Sequence, residues 1–187
     1  MKALLIIDMQ VGLFKAETPR FDATGVIVRI NKLSNMLRSN RDQIIFIQHD
    51  GNKDDSLEPG TADWEILPDL DRDTNDLYIR KTVCDSFFET ELNKILKSLK
   101  ISKVIITGCA TDFCVDSTVR SAASKNYEVV VVKDGHTTAD RPNIDAQTVI
   151  HHHNWIWENL IVPKRKIEVI TSGQLIRELN NGLTTTK

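Results

Sequence analysis

Lys103–Asp134 reads KVIITGCATDFCVDSTVRSAASKNYEVVVVKD. It opens on a β-branched apolar run, KVIITG (Lys103–Gly108), and closes on a second, EVVVVKD (Glu128–Asp134). Between them, Asp112–Lys125 has the pattern of a helix. Strands apolar on both faces belong in a parallel sheet covered by helices, so the stretch reads as a β-α-β unit. The same alternation continues in both directions. ALLIID (Ala3–Asp8), QIIFIQ (Gln43–Gln48), LYIRK (Leu77–Lys81) and KIEVI (Lys166–Ile170) are further strand candidates. Val26, Ile30, Leu33 and Leu37 recur at helical spacing, as do Phe88, Leu92, Ile95, Leu96 and Leu99. Ile144–Leu160 and Gly173–Leu179 complete the helices. The expectation is one domain over residues 1–187, a three-layer α/β/α fold on a six-stranded, mostly parallel, doubly wound sheet.

Composition narrows the class. The 187 residues are 41% hydrophobic and 27% charged, with a formal net charge of -2. No basic excess points to nucleic acid or an anionic membrane, and no run approaches the roughly 18 apolar residues that span a bilayer. The N-terminal MKALLIIDMQ is too short a run for a signal peptide, because Asp8 interrupts it. Three cysteines argue against a disulfide scaffold and for a reducing compartment, so a cytoplasmic location is expected. The partner expected is a small-molecule substrate, with neither nucleic acid nor membrane.

In doubly wound sheets, ligands sit beyond the carboxyl ends of the strands. The polar residues there are Asp8, His49 with Asp50, Lys81, the Gly108–Cys114 segment and Asp134. Cys114 falls at the start of a helix, where partial positive charge stabilises a thiolate and unpaired N–H groups can cradle an oxyanion. A lone cysteine is otherwise a small buried hydrophobe. An unpaired Asp8 would be costly at the end of a buried strand. If Asp8, Lys81 and Cys114 converge, Lys81 holds Asp8 ionised and helps lower the pKa of Cys114, and Asp8 takes the thiol proton. Cys109 reads as core or turn packing, and Cys84 has no evident role.

Other features weigh less. Consecutive residues of a helix point in different directions, so His151–His153 do not converge on one ion. Asp69, Asp71 and Asp73 open like a calcium loop, but Thr74 and Arg80 stand where Gly and Glu are required. No glycine signature cradles a phosphate, so no cofactor is expected. The irregular stretch 50–76 is long enough to be functional. Leu13, Phe14 and Trp64 are candidates for a substrate wall, and equally for ordinary packing. Trp155 and Trp157, beside histidines, could face a partner in a homo-oligomer (dimer or tetramer) or lie within the monomer.

LLIIDMQ, RKTVCDSFFETEL and ITGCATDFCVDSTVRSAASKNYEVVVVKD together resemble the isochorismatase-like cysteine hydrolases, which include nicotinamidases. The Gly-x-x-Thr-x-x-Cys-Val pattern at Gly108–Val115 carries the resemblance most specifically. It implies a catalytic triad of Asp8, Lys81 and Cys114. It also implies a cis peptide between Cys109 and Ala110, with the N–H groups of Ala110 and Cys114 as oxyanion hole. Nicotinamidases bind a metal through an aspartate and several histidines after the second strand. Here His49 and Asp50 are followed by no histidine before Lys81, and Leu67 is apolar, so no metal is expected. The activity implied is hydrolysis of a small amide through a Cys114 thioester. The alternatives are a vinyl-ether hydrolase acting on an isochorismate-type metabolite and a non-hydrolytic thiol redox or binding module.

Overall fold

The computed structural model describes residues 1–52, 54, 56–162 and 166–184. Six strands form one sheet: β1 (Lys2–Ile7), β2 (Gln43–His49), β3 (Leu77–Lys81), β4 (Lys103–Cys109), β5 (Glu128–Thr137) and β6 (Glu168–Ile170). Their order is β3-β2-β1-β4-β5-β6 and every pairing is parallel. The chain starts in the middle, winds out to β3, then crosses back to β4. The point of reversal therefore lies between β1 and β4, where a crevice opens at the carboxyl ends.

Five α-helices cover the sheet: α1 (Ala23–Ser39), α2 (Leu92–Ser98), α3 (Asp116–Ser124), α4 (Ala146–Asn159) and α5 (Ser172–Thr184). Because side chains alternate along a strand, β1 sends Leu4 and Ile6 to one face and Leu5 and Ile7 to the other. The first pair packs with Val26, Ile30, Leu33 and Leu37 of α1 and with Leu175 and Leu179 of α5. The second packs with Leu92 and Leu96 of α2, Val119 and Ala122 of α3, and Trp157 of α4. These are the three layers expected.

The second helix is shorter than its periodicity suggests. Phe88 is 52% exposed and lies outside α2. The Asp85 carboxylate accepts the Phe87 N–H, and Thr90 bonds the Ser86 carbonyl and the Leu92 N–H. With Glu89 at φ 52, local side-chain bonds make a turn where apolar spacing alone reads helix. Trp157 is fully buried, with its indole N–H donated to Asp116 at 2.8 Å, so it belongs to the monomer core. Trp155 is exposed. Asp73, in the calcium-like stretch, accepts the Asn75 N–H and shapes the turn before β3. No helix among the described residues is long and apolar enough to cross a membrane.

Gly108 marks the closest approach in the sheet. Its φ is 120, and a Cβ there would stand 2.1 Å from the Ile7 carbonyl oxygen and 2.6 Å from the Ile7 nitrogen. Both are backbone atoms of the adjacent strand, which cannot move aside as a side chain could. Gly108→Ala should therefore lose about 3 kcal/mol or more in urea unfolding. A loss under 1 kcal/mol would show that β1 and β4 are not held this tightly.

Candidate active site

β1 ends at Ile7, and Asp8 turns out of the strand with φ 46, a conformation aspartate tolerates better than most residues. Its N–H stays bonded to the Ile47 carbonyl of β2 at 2.9 Å, which anchors the turn to the sheet. Lys81 is the last residue of β3 and pairs in register with His49 of β2. From that edge its side chain reaches behind β2. Nζ lies 2.6 Å from Asp8 Oδ2 and 3.4 Å from Cys114 Sγ. Asp8 and Lys81 are 1% and 2% exposed. Asp8 Oδ1 is buried without a hydrogen-bond partner among the described residues. The structure thus brings together the three polar residues that sequence places at separate strand ends.

Cys114 sits on a wide helical turn, Thr111–Val115, that runs directly into α3. The Cys109–Ala110 peptide preceding it is cis. The electrostatics differ from the sequence expectation. Burial and the Asp8 charge raise the Cys114 pKa, and the opposing Lys81 charge does not offset them. Lys81 does pull it down, as the sequence leads one to expect, but the net direction is upward. Burial thus disfavours the thiolate beside the Asp8–Lys81 ion pair. Burial also pushes Lys81 down, but the Asp8 charge and the hydrogen bonds to Asp8 and Cys114 outweigh it and leave the ammonium above its ordinary pKa. Burial, above all, drives Cys109 up to about 12, consistent with a packing role.

Asp8, Cys109 and Cys114 border a cavity of about 280 Å³, small for a ligand site. Leu13, Ala110 and Cys114 line it, with Leu57 from the stretch after β2. Phe14 and Trp64 do not line it. Phe14 packs against the core on the α1 side, and the Trp64 indole donates to Asp50 at 2.9 Å under the Arg80 guanidinium. Sequence reasoning missed Arg20, Cys84, Phe113 and Arg141, which share the lining. Arg20 and Arg141 lie in irregular segments without periodicity, so nothing in the pattern marked them. Arg141 is clamped by Asp112 through bonds of 2.7 and 2.9 Å. Burial raises Asp112, but Arg141 and Thr138 outweigh it and hold the carboxyl below its usual range.

The nicotinamidase-type metal does not fit these residues. Asp50 is engaged by Trp64 and Arg80, and Leu67 is packed in the core. Among the described residues no group of three or more His, Cys, Asp or Glu side chains could hold an ion, and His151–His153 lie along α4.

The turn carrying Cys114 rests on a buried polar chain. His136 accepts from Thr111 Oγ1 on Nδ1 at 2.9 Å and donates from Nε2 to Asn154 Oδ1 at 3.1 Å. Asn154 Nδ2 donates to the Lys133 carbonyl, which fixes that tautomer. Burial lowers the His136 pKa from 6.5 to about 4. The unfolded chain takes up a proton below about pH 6.5, and the folded protein resists until about pH 4. Stability from this group is thus full above 6.5 and lost as pH falls toward 4. Between pH 7 and 5 it should contribute a loss of about 2 kcal/mol that His136→Gln lacks. Parallel pH profiles for the two proteins in urea titrations would remove His136 as the cause.

Three comparisons bear on the site. The family model described as the isochorismatase domain matches residues 2–153. A streptothricin hydrolase of Streptomyces noursei is 27% identical over 141 residues, 75% of this chain and 56% of that protein. The chain thus spans about half the length of the streptothricin hydrolases it matches. A ureidoacrylate amidohydrolase of Agrobacterium fabrum is 25% identical over 169 residues, covering 71% of this chain and 74% of that one. A crystal structure of an isochorismatase family protein superposes with a TM-score of 0.83 at 29% identity, covering 91% of this chain and 98% of the other.

Proposed function

Because the chain belongs to the isochorismatase family, we propose that it is a cysteine hydrolase cleaving a small amide or related C–N carbonyl substrate. The observation that carries this reading is the Lys81 ammonium held between Asp8 and Cys114, both of which line the cavity. One relative is named a hydrolase and another an amidohydrolase, which supports C–N bond cleavage.

The raised thiol pKa sets the order of events. Asp8, charged and next to the thiol, takes the proton as Cys114 Sγ attacks the carbonyl carbon. The carbonyl electron pair moves onto oxygen, where the N–H groups of Ala110 and Cys114 serve as donors. Losing one such donor costs about 10²–10³ in rate. As the tetrahedral centre collapses, the C–N bond breaks and the leaving nitrogen takes the proton from Asp8. Water then gives a proton to Asp8 and attacks the thioester. Collapse of that second adduct releases the acid, and the proton returns to Cys114. Lys81 remains charged throughout and keeps Asp8 ionised when the thiol is neutral.

A redox module would need a standing thiolate, which the raised pKa disfavours. A vinyl-ether hydrolase would not need the thiol. A screen of amides, ureides and carbamates, followed by rapid acid quench and peptide mass analysis, tests the proposal. The expected result is release of amine or ammonia with an acyl group on the Cys114 peptide. Cleavage of isochorismate at an undiminished rate by Cys114→Ala would replace this reading with the vinyl-ether one.

A further inference from the structure

The cavity is bordered by all three cysteines of the chain, each a free thiol. Cys84 and Cys114 are half-buried, whereas Cys109 is 0% exposed on β4. Cys84 stands on the bend that leaves β3, and both flanks of that bend are tied to the turn bearing Cys114. On the near flank, Lys81 Nζ lies 3.4 Å from Cys114 Sγ. On the far flank, the Ser86 N–H donates to Thr118 Oγ1 of α3 at 3.2 Å, and the two hydroxyls lie 2.8 Å apart. Thr118 is about one helical turn beyond Cys114. Ser86 and Thr118 are fully buried, so water does not compete for this fastening. Phe87 then joins the core cluster that holds Val115 and Val119. Cys84 is thus confined beside Cys114, close enough that its charge is among those raising the Cys114 pKa.

We propose that Cys84 is the partner thiol of Cys114: a small disulfide of the glutathione class converts the two into a Cys84–Cys114 disulfide that reversibly stops the enzyme. The disulfide rests on the placement of the thiols, and only the loss of activity rests on the hydrolase reading above. Thr82 and Val83 are exposed, so the reagent meets Cys84 first. Cys84, its proton released to solvent, attacks one sulfur of the reagent. A Cys84–S bond forms, the reagent's S–S bond breaks, and one thiolate leaves and takes up a proton. Cys114 Sγ then attacks the Cys84 sulfur while Asp8, in the same cavity, takes its proton. The Cys84–Cys114 bond forms, and the second reagent thiolate departs with the proton held by Asp8. Two protein thiols are oxidised and one disulfide is reduced to two thiols. No standing Cys114 thiolate is needed, because the base that serves acyl transfer serves here too. The adjustment that brings the sulfurs to bonding distance falls on residues 82–85, which lie in no helix or strand. Once paired, Cys114 neither attacks a carbonyl nor passes to the irreversible sulfinic and sulfonic acids. Cys109 is left out, because burial closes it to the reagent.

Incubating the reduced protein with glutathione disulfide, then blocking with N-ethylmaleimide and mapping tryptic peptides without reduction, tests the pairing. The expected product joins the Cys84 peptide to the peptide holding Cys109 and Cys114, with fragment ions assigning the bond to Cys114. Neither peptide should retain glutathione. Amide turnover should fall in step with the cross-link and return with dithiothreitol. In Cys84→Ser the cross-link should be absent. Its loss of activity to glutathione disulfide should be at least about tenfold slower, because Cys114 then lacks an intramolecular partner. The wild-type map decides the matter if that variant does not fold. Stable glutathione adducts without a cross-link, or a bond to Cys109 instead, overturn the proposal. So do undiminished turnover by the cross-linked protein and wild-type inactivation rates in Cys84→Ser. A cross-link in a protein that turns over no amide would keep the thiol pair and end the hydrolase reading. Amide turnover with thiols that never pair would do the reverse.

Discussion

Cys114→Ala should lower turnover of the amide substrate proposed above by about 10⁴–10⁶-fold while leaving the fold intact, because in the proposed reaction it removes the atom that would form the covalent intermediate. The thiol is partly buried and structurally undemanding: its single hydrogen-bond partner of stated distance is Lys81 Nζ at 3.4 Å. Its removal takes away a group whose proton Asp8 would accept but leaves the Asp8–Lys81 ion pair in place. Urea midpoints for the variant and the wild type should therefore differ little, by about 1 kcal/mol at most. Residual activity above a thousandth of wild type would mean that another group attacks the substrate. Unfolding of the variant would mean that Cys114 is mainly a packing residue.

The second large effect concerns the ion pair itself. Asp8→Asn leaves the Lys81 ammonium buried without its counter-charge, and Lys81→Met leaves the Asp8 carboxylate in the same condition. The two side chains are 1% and 0% exposed, so neither stranded charge has ready access to water. Each single variant should lose about 3–5 kcal/mol of stability. The double variant, with no charge left to strand, should be more stable than either. Activity should not follow stability, because Asp8→Asn lacks the base and loses at least about 10²–10⁴ in rate whether or not Lys81 is present. Denaturant titrations of all four proteins close the cycle. Additive losses would show that the pair is not coupled in the way its geometry indicates.

The strands were readable because burial on both faces forces β-branched runs with abrupt polar ends. Those ends carried Asp8 and Lys81 into the site. Cys114 was readable from the turn that follows β4. The charge state of the thiol was not, because it depends on a competition between desolvation, Asp8 and Lys81 that only three-dimensional distances settle. Arg20 and Arg141 escaped notice because each lies in an irregular segment, where no repeat distinguishes a cavity-lining side chain from a solvated one. Trp64 was misplaced for a related reason. Its indole N–H found Asp50, a partner fourteen positions away in sequence, and it is not among the cavity-lining residues.

Gln10 has a wider consequence. Its side chain donates to the carbonyls of His49 and Trp64 and accepts the His49 N–H at 2.8 Å. Gln10 also bridges Ile66 through backbone pairing. One fully buried amide thus pins both the departure and the return of the chain between β2 and β3. With its ends fixed, the stretch between them behaves thermodynamically as a closed loop, for which doubling the length adds only about 0.6 kcal/mol of closure entropy. Leu57, on that stretch, reaches the cavity, while Asp8, Lys81 and Cys114 are held by the sheet and the turn after β4. Insertions and substitutions here can therefore reshape what enters at little cost to folding. An engineer, or natural drift, can change the mouth of this cavity and leave its floor alone.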